Sequence, residues 1–205
     1  METANKLIEI ARGELGTKES PAGSNRVKYA SWYGMNGQPW CVMFVMWVCS
    51  QAGVALPTRT ASCTTLMRAA KAADMWVNSG YQPGDIVIYD WSGDGVPDHC
   101  GIVESVNNAQ ITAIEGNTAV GNDSDGGEVM RRTRSVKQIL GAVRPLYEED
   151  KPMDNDSRIS KEAVDWMTSS GIMQGDKSGD LRLSDGMTRD EFSAMLYRYH
   201  LKFGK

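Results

Sequence analysis

Histidine is nearly absent from this 205-residue chain, which carries only His99 and His200. Zinc amidases and peptidases usually draw two or three ligands from histidine. With the two residues so far apart in sequence, zinc hydrolysis is excluded. Cysteine is also scarce: Cys41, Cys49, Cys63 and Cys100 are scattered, with no CxxC pair. Four such residues suit neither a disulfide scaffold nor a zinc ribbon, and Cys49 and Cys63 are expected to be free, buried thiols. No apolar run approaches the roughly 20 residues of a membrane span. The segment Met1–Gly16 is charged and amphipathic, without the apolar centre of a signal peptide, so release by a route other than a Sec signal is expected. The net charge of −4 gives no basic field for nucleic acid.

What remains is an ordinary soluble composition, 41% hydrophobic and 23% charged, in a chain long enough for one domain and a smaller companion. Leu7, Ile8, Ala11 and Leu15 form a helical stripe over Asn5–Leu15. A turn-rich stretch, Ser20–Asn25, follows. Trp40–Ala52 is apolar on every side, which predicts a helix buried all round and closed by Gly53. Thr64–Ala73 reads as a further helix. From Pro83 the period changes to that of strands: Asp85–Tyr89, His99–Val106, Gln110–Glu115, Val129–Thr133 and Ile139–Arg144, separated by Gly, Asn and Asp turns. Helices first and strands afterwards predict an α+β fold with an antiparallel sheet.

The chemistry centres on Cys41, in Gln38-Pro39-Trp40-Cys41 at the front of the buried helix. Pro39 suits a helix start, and a first-turn cysteine feels the free N–H groups and the positive helix end, which favour thiolate. A thiol nucleophile needs a base and a group to orient that base. His99 is the only candidate base before the linker. Alternation along its strand sends Cys100 to the opposite face, so Cys100 is expected to pack in the core. Glu115 and Asn117 end the next strand on one face while the chain stays extended, and either could accept the imidazole hydrogen bond. Asp123-Ser124-Asp125-Gly126 lacks the spacing of a calcium loop and reads as a solvated turn.

From about Ala11 to Leu146 the chain resembles a CHAP domain, the cysteine, histidine-dependent amidohydrolase/peptidase family. The resemblance is carried by Glu14–Glu19, Trp40–Val45, Pro83–Ile88, Asp98–Val103 and Ile114–Thr118. The NlpC/P60 family shares the same Cys-then-His order. The resemblance implies a papain-like, NlpC/P60-like catalytic domain over residues 1–147, with Cys41 as nucleophile, His99 as base, Glu115 as orienting acid and Asn117 as assisting amide. Trp40, Tyr29 and Trp91 are the expected substrate-contacting aromatics. Some phage members bind calcium in an Asp-rich loop before the nucleophile. Here Ser31–Gln38 carries no carboxylate, so neither metal nor cofactor is expected.

The implied activity is cleavage of an amide or peptide bond of peptidoglycan through an acyl-enzyme, as in phage or prophage endolysins held in the host cytoplasm until a holin releases them. Alternatives are a bacterial autolysin, an NlpC/P60-type peptidase acting on soluble muropeptides, and a non-catalytic wall-binding or assembly protein. Residues 148–156 are charged and Pro-interrupted, and read as a linker. Residues 157–205 predict a small all-α module that resembles a single S-layer homology-like repeat, through Ala163–Trp166, Gly171–Gly175 and Met187–Phe192. That resemblance implies binding to anionic wall polymers, with Trp166 and Arg189 as contacts. It also implies self-association as a trimer, because such repeats usually act in threes.

Overall fold

A computed structural model describes residues 3–107, 109–123, 125–147, 161–174 and 189–204. The backbone separates into two compact units, Met1–Asp150 and Lys151–Lys205. The expected linker, Gly175 and Thr188 all lie outside the described residues.

The first unit opens with α1 (Ala4–Gly13), whose Leu7, Ile8 and Ala11 stripe is buried and whose N-cap Thr3 accepts a hydrogen bond from the Lys6 N–H at 3.1 Å. The short helix α2 (Lys28–Tyr33) buries Tyr29 and Ala30. α3 (Cys41–Ala52) is enclosed, with nine of its twelve residues buried, and Gly53 closes it in the left-handed conformation. Such burial follows from its composition, since each large apolar side chain removed from water contributes roughly 1.5–3 kcal/mol. α4 (Cys63–Ala72) starts at Ser62, whose hydroxyl caps the Thr65 N–H.

Strands β1 (Trp76–Val77), β2 (Ile86–Tyr89), β3 (His99–Asn107), β4 (Gln110–Thr118), β5 (Glu128–Ser135) and β6 (Ile139–Val143) form one antiparallel sheet in the order β1-β6-β2-β3-β4-β5. This is the α+β arrangement expected, with helices leading and the sheet following. One sheet face, through Ile86, Ile88, Cys100, Ile102 and Ile114, joins α1 and α3 in the main core. The other carries Val87, Tyr89, Val103, Ile111 and Ala113.

Gly116 sets how closely α3 approaches β4. A Cβ there would stand 2.6 Å from Phe44 Cβ and 2.8 Å from the Trp40 ring, so any larger residue must push the helix away.

In the second unit, α5 (Lys161–Ser169) and α6 (Arg189–Phe203) are helical. Trp166, Tyr199 and Phe203 cluster there, with ring centroids 5.7 Å apart for Trp166–Phe203 and 5.4 Å for Tyr199–Phe203. On α6, Phe192, Leu196 and Tyr199 are about half exposed. Among the described residues no helix is long and apolar enough to cross a membrane.

Candidate active site

Cys41 is the first residue of α3, and its cap residue Trp40 supplies no side-chain hydrogen bond to the helix start. The N-terminal N–H groups of the helix are therefore free of a capping side chain, and the positive helix end faces the sulfur. His99 opens β3 and is fully buried. Its ring is stacked beside Tyr89, at 6.1 Å between centroids and 18° between planes, and Tyr89 stacks in turn on Trp91 at 4.6 Å. The loop between Tyr89 and His99 is tied by Asp90, which accepts from the Gly93 and Gly95 N–H groups, and by Asp98, which accepts from Trp91 N–H at 2.6 Å. These contacts fix where Trp91 and His99 stand.

Behind the imidazole, His99 Nε2 lies 3.3 Å from Glu115 Oε2. That leaves Nδ1 as the atom able to exchange a proton with the thiol. Neither ring nitrogen completes an aligned hydrogen bond in this resting arrangement, a common state before substrate tightens a site. Gly101 makes room for the carboxylate, because a Cβ at that position would come within 2.7 Å of Glu115 Cγ. Glu115 is itself gripped by Arg134, whose Nε and Nη2 donate to Oε1 and Oε2 at 3.0 and 2.7 Å. The guanidinium also reaches Asp123 Oδ1 at 2.9 Å and lies 4.9 Å over the Trp91 ring.

The electrostatics separate the thiol from the imidazole. Hydrogen bonds from Cys100 and then Cys63 hold the Cys41 thiol well below its usual range; burial opposes them, and His99 adds to the lowering. Burial alone would depress His99, but the bonds and charges of Cys41 and Glu115 raise it to about 9. Burial penalises the Glu115 charge, yet His99 and Arg134 outweigh it and keep the carboxyl below the usual glutamate value. Cys49, by contrast, is pushed up to about 12 by burial. The favoured form is thus Cys41 thiolate with His99 imidazolium.

Several expectations need correction. Asn117 does not share an extended face with Glu115. The β4–β5 register shifts between Glu115 and Thr118, and Asn117 takes φ 61°. Its amide donates to Asp125 Oδ1 at 3.2 Å and its carbonyl accepts from Gly127 N–H at 3.3 Å, so it closes the β4–β5 turn and does not contact the imidazole. Tyr29 and Trp40 are fully buried against each other and Phe44, so neither presents a surface to substrate here. Trp91 remains partly exposed beside the imidazole. The turn around Asp123 is not merely solvated: Asp123 pairs with Arg132 and Arg134. Cys100 does pack in the core as expected, but that core face is the one on which α3 begins, and its sulfur lies beside Cys41. Arg134 was missed by the sequence reading altogether.

A buried thiol at a helix start, with an imidazole and an acid behind it, is an arrangement able to do thiol nucleophile chemistry. Residues 26–117 match the CHAP domain family, a span that includes Cys41, His99 and Glu115. None of the curated proteins matches the chain. Among solved structures, Ly7917 is similar over 70% of this chain and 62% of its own, at 20% identity and a TM-score of 0.42. The structure titled Ly7917 with the hydrolyzing product of MDP gives the same identity and TM-score, over 70% and 63%. The wild-type endolysin LysIME-EF1 is similar over 72% and 66%, at 16% identity and a TM-score of 0.43. The chain spans less than two thirds of the length of each.

Proposed function

We propose that the first unit is a cysteine peptidoglycan hydrolase of the endolysin type, cleaving an amide or peptide bond of the bacterial wall. The observation that carries this reading is the line Cys41, His99 and Glu115, all within the CHAP domain match, with Arg134 gripping Glu115 from beyond it. The Cys41 thiolate attacks the scissile carbonyl carbon, and the Cys41 backbone N–H holds the oxyanion at the helix start. Collapse breaks the C–N bond as His99 gives its proton to the leaving amine. His99 then takes a proton from water, which attacks the thioester; the C–S bond breaks and a carboxylate leaves. Glu115 balances the imidazolium, and Arg134 keeps Glu115 charged and in place. Mass spectrometry of purified sacculi after digestion tests the reading. New amine- and carboxylate-ended fragments are expected, whereas new reducing sugar ends would overturn it.

The active form needs a protonated His99, so the alkaline limb of the pH–rate profile is expected near 9, falling as pH rises through that value. The acid limb reports the coupled Cys41–His99 pair. Glu115→Gln removes the charge that supports the imidazolium and leaves the Arg134 cation beside it. The alkaline limb is then expected to move down by about 1–2 units. Because the amide can still accept the imidazole hydrogen bond, the rate at the optimum falls less than in His99→Ala. An unmoved alkaline limb would remove Glu115 from the catalytic line.

The second unit is proposed to hold the enzyme on the wall, with Trp166 and Arg189 as contacts and with self-association as the source of avidity. The aromatic cluster Trp166–Phe203–Tyr199 and the half-exposed face of α6 support this role. Light scattering on the full chain is expected to give a species larger than a monomer, and a chain ending at Tyr147 is expected to be monomeric and to sediment less with walls. A monomeric full chain that is retained on walls no better than the shortened one would reduce this unit to a structural appendage.

A further inference from the structure

Three of the four cysteines meet at one point. Cys41 starts α3, Cys63 starts α4 and Cys100 is the second residue of β3. Their sulfurs all lie within 4.8 Å of one another, and all three are buried and free of disulfides. Thioester chemistry needs one thiol and one base, so two of these sulfurs have no bond-making step to perform. Their placement suits a different task. Zn–S bonds of about 2.3 Å set the sulfurs of a thiolate site about 3.8–4.0 Å apart, so a closure of at most about 1 Å from the 4.8 Å limit forms the site. Cys41 and Cys63 are the first residues of α3 and α4, so two helix starts lie at this point; Cys63 and Cys100 stay well above the usual thiol range, so their protons leave only when a cation takes their place. All-sulfur ligands select soft cations over calcium or magnesium. Cys41 and Cys63 keep 7% and 8% exposure, which leaves an entry on their side, while Cys100 closes the floor at 0%.

We propose that Cys41, Cys63 and Cys100 form a three-thiolate site for one thiophilic cation of the zinc class, and that its occupancy takes the nucleophile out of use. Binding displaces the thiol protons of Cys63 and Cys100, while Cys41 has passed its own to His99, so no oxidant or reductant enters. The inhibitory consequence rests on the hydrolase reading, but the binding does not.

Cobalt(II) titration of the full chain, kept reduced with a phosphine, tests the site through the sulfur-to-cobalt charge-transfer band. One equivalent is expected to saturate the band, and zinc to displace it. Cys63→Ser is expected to lose about one third of the band, as one of three sulfurs, and to bind at least about 100-fold more weakly. Cys100→Ala should behave alike and gives a second test at a different element. Zinc at one equivalent should stop wall hydrolysis by the parent chain. Cys63→Ser, compared with its own zinc-free rate, should need at least about 100-fold more zinc. No band in the parent chain, or parent-like binding in both variants, would overturn the site. A saturable band in a chain that never hydrolyses walls would uphold the site and remove only the hydrolase reading.

Discussion

Cys41→Ala is expected to lower hydrolysis of purified walls by at least about 10⁴-fold, and His99→Ala to fall comparably, because residues acting as one catalytic unit fail together. Without the thiolate there is no atom to attack the carbonyl, and without the imidazole there is neither a partner for the thiolate nor an acid for the amine. The fold should survive the cysteine change. Cys41 is only the first residue of α3, and most of that helix's burial comes from Val42, Met43, Phe44, Val45 and Met46. A circular-dichroism melt is expected to stay within about 4 °C of the parent, the shift that about 1 kcal/mol produces in a chain of this size. Amine release from sacculi measures the rate. Retained lysis by Cys41→Ala with an unchanged melt would mean that another group attacks the bond.

The second large effect is structural and belongs to Arg134. Glu115 is fully buried and accepts both arms of the Arg134 fork. Arg134→Met leaves that carboxylate without a cation beyond the imidazole, beside the Tyr89 hydroxyl. Breaking a buried pair from one side costs roughly 3–5 kcal/mol, read as a lower denaturant midpoint. Arg134→Lys keeps the charge but not the bidentate geometry, and should recover only part of the loss. The pH profile separates an electrostatic role from simple packing. Without the cation, the Glu115 charge acts on His99 unopposed, so the alkaline limb in Arg134→Met should move to higher pH, opposite in sign to Glu115→Gln. A destabilised variant with an unmoved limb would make Arg134 a packing residue alone.

Much of this was legible from the chain. An apolar run with no polar face could only be a buried helix, so α3 and the position of Cys41 at its start followed from composition. The β-rich runs after Pro83 gave the strands, and His99 lay at the start of one because a Gly/Asp loop preceded it. The misreadings have local causes. Strict alternation placed Asn117 with Glu115, but a bulge before Thr118 turned Asn117 to positive φ and into the turn. Alternation was right about Cys100 facing away from His99; it could not show that α4 would bring Cys63 to the same point, since that depends on contacts between distant segments. Nothing in the sequence shows that Tyr29 and Trp40 are enclosed, because that depends on Gly116 letting β4 press against Trp40 and Phe44, which seals both rings inside.

Arg134 left one trace in the sequence. Arg132 and Arg134 alternate in a strand, and on the β4 partner they pair with Ala113 and Ile111, on the face that also carries Glu115. A cation on that face needs a buried anion, and Glu115 was the available one. The reach along the strand is supplied by the length of the arginine side chain, which no spacing rule conveys.

The most direct test of the account follows wall hydrolysis while iodoacetamide modifies the thiols, with the alkylated residue identified by peptide mass at each time. Activity is predicted to fall in proportion to carboxymethylation of Cys41, with Cys63 and Cys100 still unmodified when lysis is lost. Full lysis by a chain alkylated at Cys41, or loss that tracks Cys63 or Cys100 while Cys41 remains free, would contradict it.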